Sequence, residues 1–222
     1  MLGCVPRPRA VVVTGSGVHT DRWHDLDATS AAVASILAEQ FDVHITSTEQ
    51  VAELPRAELP PAELIVLNAT GDLERAPTDS RPVVDAILAA HEGGAALLAL
   101  HASSLAFRDD PRWPRLLGGR WVPETSGHPP IGPATVTYAG GAPFGAGGFE
   151  LFDERYTALE RHPGTLLVAT HTEAGDTHPL VWARGPARGA RVVYDALGHD
   201  IRSYESTGRR RLIADATAWL LR

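Results

Sequence analysis

Residues 93–102 read GGAALLALHA: a glycine pair, an unbroken apolar run at 95–100, and then His101. A short apolar run bounded by turn-forming glycines reads as a strand of a parallel sheet covered on both faces. The carboxyl end of that strand carries a titratable ring. In open α/β sheets ligands bind at this edge, because loops diverge there and helix amino termini face the crevice. A lone histidine at such a place is more often a buried ring bonding a carbonyl, so other residues must join it before it means chemistry.

Working outward, apolar runs at 10–14, 41–46 and 64–68 precede this strand. They alternate with helical patterns at 28–40 and from Asp79 or Ser80 to His91. Asp27 is the expected cap of the first helix, with Val33, Ile36 and Leu37 on one face; the second has Pro82 in its first turn and Gly93-Gly94 at its end. Segment 48–60 reads as a short helix or loop. This βα alternation predicts an α/β fold with a mostly parallel sheet and helices on both faces. From 118 to 148 the chain is rich in Gly and Pro around one strand at 134–138, and is expected to form a wall or lid over the crevice. Strands at 165–170, 180–183 and 191–195 and a helix at 206–221 follow. The expectation is a single domain over residues 1–222.

Composition narrows the classes of function. There are 27 Asp+Glu against 20 Lys+Arg, and no basic stripe interleaved with aromatics, which argues against nucleic acid as a partner. Arg209, Arg210 and Arg211 read as a solvated helix surface. Cys4 is the only cysteine, so no internal disulfide or cysteine-rich zinc knuckle can form; a reducing compartment is expected, and a frayed amino terminus makes Cys4 a poor nucleophile. No segment approaches a membrane span and no signal peptide is read at the start, so a cytoplasmic location is expected. Gly15-Ser16-Gly17 after the first strand is followed by Thr20 where a dinucleotide fingerprint needs its third glycine, so no nucleotide cofactor is expected. A P-loop and a Gly-x-Ser-x-Gly elbow are both missing, and Ser103 and Ser104 fall after the turn.

Three loops at strand ends carry similar side chains. The first brings His19, Trp23, His24 and Asp25, the second His101, and the third Gly198, His199 and Asp200. A parallel sheet would bring His24, His101 and His199 together as a catalytic centre, with Asp25 or Asp200 orienting a ring and His128 joining from the glycine-rich wall. Such rings suit two kinds of chemistry. Neutral imidazoles bind zinc or a similar divalent ion, with His24, His101 and His199 as ligands, or they exchange protons without metal. Spacing does not choose between these. Asn68 in Asn68-Ala69-Thr70-Gly71-Asp72 can offer donors to a sugar or carbonyl oxygen, though a capped turn explains it equally well. Asp153-Glu154 can contribute an acid, although a surface carboxylate pair is the commoner explanation. Trp23, Trp121 and Tyr156 can stack on sugar faces.

An ordered set of segments resembles the trehalose-utilisation (ThuA-like) family: Trp23-His24-Asp25, residues 64–68, Gly93-Gly94 through Leu100-His101-Ala102, Leu116-Leu117-Gly118-Gly119 with His128, Asp153-Glu154-Arg155-Tyr156, His178-Pro179-Leu180-Val181-Trp182, and residues 189–194 running into Leu197-Gly198-His199-Asp200. The resemblance implies the flavodoxin-like, class I glutamine amidotransferase-like architecture. In amidotransferases of that fold the elbow presents a cysteine; here it presents His101, which excludes thiolate chemistry on glutamine. The implied role is catabolism of disaccharides and their oxidised, keto-sugar derivatives. The family's further His-Pro is replaced by Gly140-Gly141-Ala142-Pro143-Phe144, and its Gly-Lys-Gly by Ala187-Arg188-Gly189-Ala190, which bears on substrate identity.

The expectation is an enzyme acting on a keto sugar or disaccharide by histidine- or metal-assisted proton transfer or hydrolysis. Its substrate-binding residues are Trp23, Asn68, His128, Glu154 and Tyr156, and its partner a small-molecule carbohydrate. A homo-oligomer is compatible with the chain. A non-catalytic sugar-binding or assembly module of the same fold, and a metal-dependent amide or ester hydrolase, are the alternative readings.

Overall fold

The computed structural model describes residues 6–54, 59–74, 79–186 and 190–222. Cys4, part of segment 48–60 and Ala187-Arg188-Gly189 lie outside the described residues. The elements in chain order are β1 (Arg9–Thr14), α1 (Leu26–Leu37), β2 (Asp42–Ser47), α2 (Thr48–Ala52), β3 (Leu64–Asn68), α3 (Arg81–Glu92), β4 (Ala96–Leu100), α4 (Arg112–Leu117), β5 (Gly119–Arg120), β6 (Gly132–Tyr138), β7 (Gly148–Asp153), β8 (Glu160–Arg161), β9 (Leu166–Glu173), β10 (Asp176–Arg184), β11 (Val192–Asp195) and α5 (Thr207–Leu220).

Nine strands form one sheet in the order β2-β1-β3-β4-β11-β10-β9-β6-β7. The block from β2 to β11 is parallel, and the strands beyond it add in antiparallel fashion. Every residue of β3 and β4 is buried, so both faces of the sheet centre are covered. Helices α1 and α5 pack on each other and on β1, β4 and β11; α2 and α3 pack together, and α4 meets β11. The chain leaves β1 for β2 on one side and β3 for β4 on the other, which makes the carboxyl edge at β1 the crevice of the fold. Four antiparallel pairings further on, β7 again runs in the direction of β11, so its carboxyl end returns to the same edge.

Local signals explain the helix ends. Helix α1 is capped by Asp25, whose side chain accepts from Ala28 N, so the helix begins and ends earlier than the 28–40 pattern suggested and Asp27 sits in its first turn. Helix α5 is capped by Ser206, which stands at the start of the expected 206–221 helix and accepts from Arg209 N. Its arginines are not all solvated. Arg209 shares a stripe with Leu212, Ile213 and Ala216 and is fully buried against Asp195, which corrects the surface reading of that cluster. The Gly/Pro-rich segment divides in two. Its first half carries Trp121 and His128 to the crevice, whereas Phe144 in the second half packs 5.9 Å from Trp219, so 139–147 is no part of a lid.

His91 closes α3 with its buried Nδ1 donating to Ala95 O at 3.0 Å. Burial pushes the ring below the ordinary histidine pKa, opposed by the Ala95 bond. The unfolded chain therefore binds more protons than the fold below about pH 6.5, and stability falls as pH drops through the unfolded value toward the folded one. The urea midpoint should fall between about pH 7.5 and 5.5, and His91→Gln should flatten that fall. An unchanged slope in the variant contradicts a neutral, buried His91.

Candidate active site

The first loop of the site leaves β1 through Gly15, where an added Cβ would lie 2.1 Å from His19 O, so the backbone fits only glycine. The loop then turns on Asp21. One carboxylate oxygen accepts from Trp23 N at 2.8 Å and His24 N at 3.0 Å, an Asx-type turn that folds the His24 ring back onto the same carboxylate. His24 Nδ1 donates to Asp21 Oδ2 at 2.8 Å. Burial works against the charged Asp21, but the bonds from the His24 ring and the two amides outweigh it and hold its carboxyl below the usual range. With Nδ1 protonated, Nε2 of His24 carries the lone pair, and it is buried with no hydrogen-bond partner among the described residues.

His101 follows β4 at φ +42°, a left-handed position that a non-glycine residue adopts under strain. Its Nδ1 donates to Ala196 O at 2.7 Å, which turns Nε2 into the crevice. There Nε2 meets Tyr156 Oη at 3.1 Å and Glu154 Oε2 at 3.5 Å. The Tyr156 ring stacks on the imidazole at 4.5 Å, and burial pushes its phenol far above the ordinary value, so it stays a neutral hydroxyl.

His199 comes from the loop after β11. Its Nδ1 is buried 3.4 Å from Glu154 Oε2 without a well-aligned bond. Burial lowers its basicity, but the neighbouring Glu154 more than restores it. Gly198 before it has φ +115°, and a Cβ there would reach Tyr204 Oη at 2.4 Å, so only glycine passes this turn.

The three rings meet. Centroids of His24 and His199 are 4.7 Å apart, those of His24 and His101 5.1 Å, and those of His101 and His199 5.5 Å. Glu154 completes the group, and one ligand atom from each of the four side chains lies within 4.8 Å of all the others. Burial penalises the Glu154 charge, yet the His101, His128 and His199 rings gathered around it overcome that and hold its carboxyl far below the ordinary range. His128 approaches from the rim at 3.0 Å from Glu154 Oε1, which raises its basicity. A cavity of about 440 Å³ opens above the cluster, with Trp23, Trp121, Tyr156, Asp72 and Glu74 in its wall.

The sequence expectations need four corrections. Asp25 orients no ring, because its carboxylate caps α1; Asp21, three residues before His24, takes that place. Asp200 binds Arg202 and caps the turn at 201–205, and so it too leaves the rings alone. Asn68 is buried, with its amide spent on Leu26 O, Thr29 Oγ1 and Ser30 Oγ, so it ties β3 to α1 and offers nothing to a ligand. Asp153 and Glu154 are both buried, which replaces the surface reading of that pair. Trp23 stands at the cavity mouth, 63% exposed, with the Arg22 guanidinium 4.4 Å above its ring.

A family profile described as ThuA, trehalose utilisation, matches residues 9–220. The chain belongs to the ThuA family. Membership supports a carbohydrate-related role and agrees with the α/β architecture. Among solved structures, a ThuA-like protein from Parabacteroides merdae is 17% identical with TM-score 0.75, over 97% of this chain and 90% of that one. A second ThuA-like protein, from Bacteroides uniformis, is 16% identical with TM-score 0.71, over 97% and 91%. The same fold recurs within a beta-galactosidase from Bacillus circulans sp. alkalophilus, 9% identical with TM-score 0.60, over 99% of this ThuA chain but 31% of the other. At these identities the likeness shows the fold alone. No curated protein sequence matches the chain significantly. No helix among the described residues is long and apolar enough to cross a membrane.

Proposed function

We propose that this ThuA-family chain is a cytoplasmic enzyme of carbohydrate catabolism that transfers a proton next to the carbonyl of an oxidised (keto) sugar. The observation that carries the reading is the meeting of His24, His101, His199 and Glu154 beneath a cavity walled by aromatic rings. The donor set also fits a divalent ion such as zinc. Three imidazoles and one carboxylate converge, two of the rings have their other nitrogen held by an acceptor, and His24 Nε2 is buried with no partner among the described residues. An ion held by these four residues would supply Lewis acidity to polarise the sugar carbonyl.

The chain's own residues support the proton transfer. Trp23, Trp121 and Tyr156 offer faces on which a sugar ring can stack. His128, made more basic by Glu154 and reachable from the cavity, is suited to exchange a proton with the carbon next to the carbonyl. Tyr156, held neutral, donates its hydroxyl to His101 Nε2 and so fixes that ring at the floor of the site.

The test is to incubate the purified chain with a keto disaccharide in deuterium oxide and follow both sugars by NMR. Deuterium entering beside the carbonyl at a rate proportional to enzyme supports the proposal. Glycosidic cleavage without exchange supports hydrolysis instead, and calorimetric binding with neither outcome supports a binding module. A further expectation concerns Asp21. Asp21→Asn removes the charge that fixes the His24 tautomer and should weaken zinc binding by about 10–100-fold. Zinc affinity unchanged in a chelator competition would remove Asp21 from this role.

A further inference from the structure

Asp153 is fully buried at the end of β7 and touches none of the cavity. Its two carboxylate oxygens collect four donors. Oδ1 accepts from Glu154 N at 2.8 Å and from His199 N at 3.0 Å; Oδ2 accepts from Gly198 N at 2.8 Å and from Ser203 Oγ at 2.7 Å. Three are backbone amides of the segments that carry Glu154 and His199, residues 45 or more positions apart in sequence. A carboxylate is well suited here, because all four groups can act as donors and an ionised carboxylate only accepts. The loop after β11 has a second anchor, as Asp195 accepts from Leu197 N and Arg209 donates to Leu197 O. That anchor holds the loop to α5, whereas Asp153 ties its backbone to that of the Glu154 segment.

We infer that Asp153 is a positioning residue that sets the separation of Glu154 and His199, and through it the site's affinity for a divalent ion. The inference rests on the reading that Glu154 and His199 belong to the working centre. In Asp153→Asn the amide can still accept from Glu154 N and His199 N, but it turns an NH2 toward Gly198 N–H, and two donors then face each other. The loop carrying His199 must move away to relieve this. Ser203→Ala is the milder change, removing one donor and loosening the same oxygen.

The experiment measures zinc affinity by chelator competition together with 15N spectra of histidine-labelled protein, for the wild type and both variants. The expected result is a loss of zinc affinity of about 10-fold or more in Asp153→Asn and about threefold in Ser203→Ala, each with a displaced His199 ring signal and an unmoved His91 signal. Lower melting temperatures with wild-type zinc affinity and unmoved His199 signals would overturn the inference and leave Asp153 a purely structural residue. Should Asp153→Asn fail to fold, Ser203→Ala decides: an unmoved His199 signal overturns the inference. If the wild type binds no zinc, the metal reading fails by itself, while the His199 signal still tests Asp153.

Discussion

His101→Ala is expected to lower turnover of a keto sugar by about a thousandfold or more, within the range for removing a group that acts on the reacting atoms. The ring has its Nδ1 fixed on Ala196 O and its Nε2 directed at Glu154 and Tyr156, so its loss removes both a ligand atom and the partner of the Tyr156 hydroxyl. Alanine also inherits the strained φ of +42°, which would lower stability and confuse the result. His101→Asn resolves this, since asparagine accepts left-handed backbone readily yet cannot place a nitrogen where Nε2 was. Both variants should lose turnover and zinc affinity together while keeping a cooperative unfolding transition. Turnover preserved in His101→Asn would take His101 out of the chemistry.

The second large effect concerns stability. Arg209 and Asp195 are both buried and pair directly, with Arg209 Nη2 also donating to Leu197 O at 2.9 Å and its guanidinium 5.3 Å from the Tyr204 ring centre. Arg209→Ala leaves the Asp195 carboxylate buried without its cation, and removing one partner of such a pair costs about 3–5 kcal/mol. For a chain of this size that corresponds to a melting temperature lower by about 6–20 °C. Asp195→Asn together with Arg209→Met removes both charges and should recover most of the loss. A single variant melting within about 2 °C of the wild type would show that the pair contributes little to stability.

How far the fold could be read in advance follows from burial. Strands β3 and β4 are covered on both faces, so their residues are apolar without interruption and stand out as runs. Strand β7, GFELFD, lies at a sheet edge with four of its six residues reached by water, and its mixed pattern following a run of glycines conceals it. That strand delivers Glu154 to the site, so the carboxylate of the centre was harder to see than the imidazoles, which follow the legible strands β1, β4 and β11. Asp21 did leave a signal. An aspartate three residues before a histidine, in a loop begun by glycine, is the spacing of an Asx turn that closes on the ring, whereas the adjacent Asp25 is directed into the helix it caps. Arg209 left one as well, at helical spacing from Leu212, Ile213 and Ala216, a stripe that a solvated arginine would not share. The tautomers of His24 and His101 depend on a carboxylate and a carbonyl, and the carbonyl of Ala196 comes from 95 residues away, so no local pattern could give them.

The most direct test of the central claim is the metal content of the full chain after dialysis against zinc, compared with a variant carrying His24→Ala and His199→Ala. If the four side chains form one centre, the wild type retains one zinc ion per chain and the double variant retains none while still folding. Zinc absent from the wild type, or retained equally by the variant, would contradict the account.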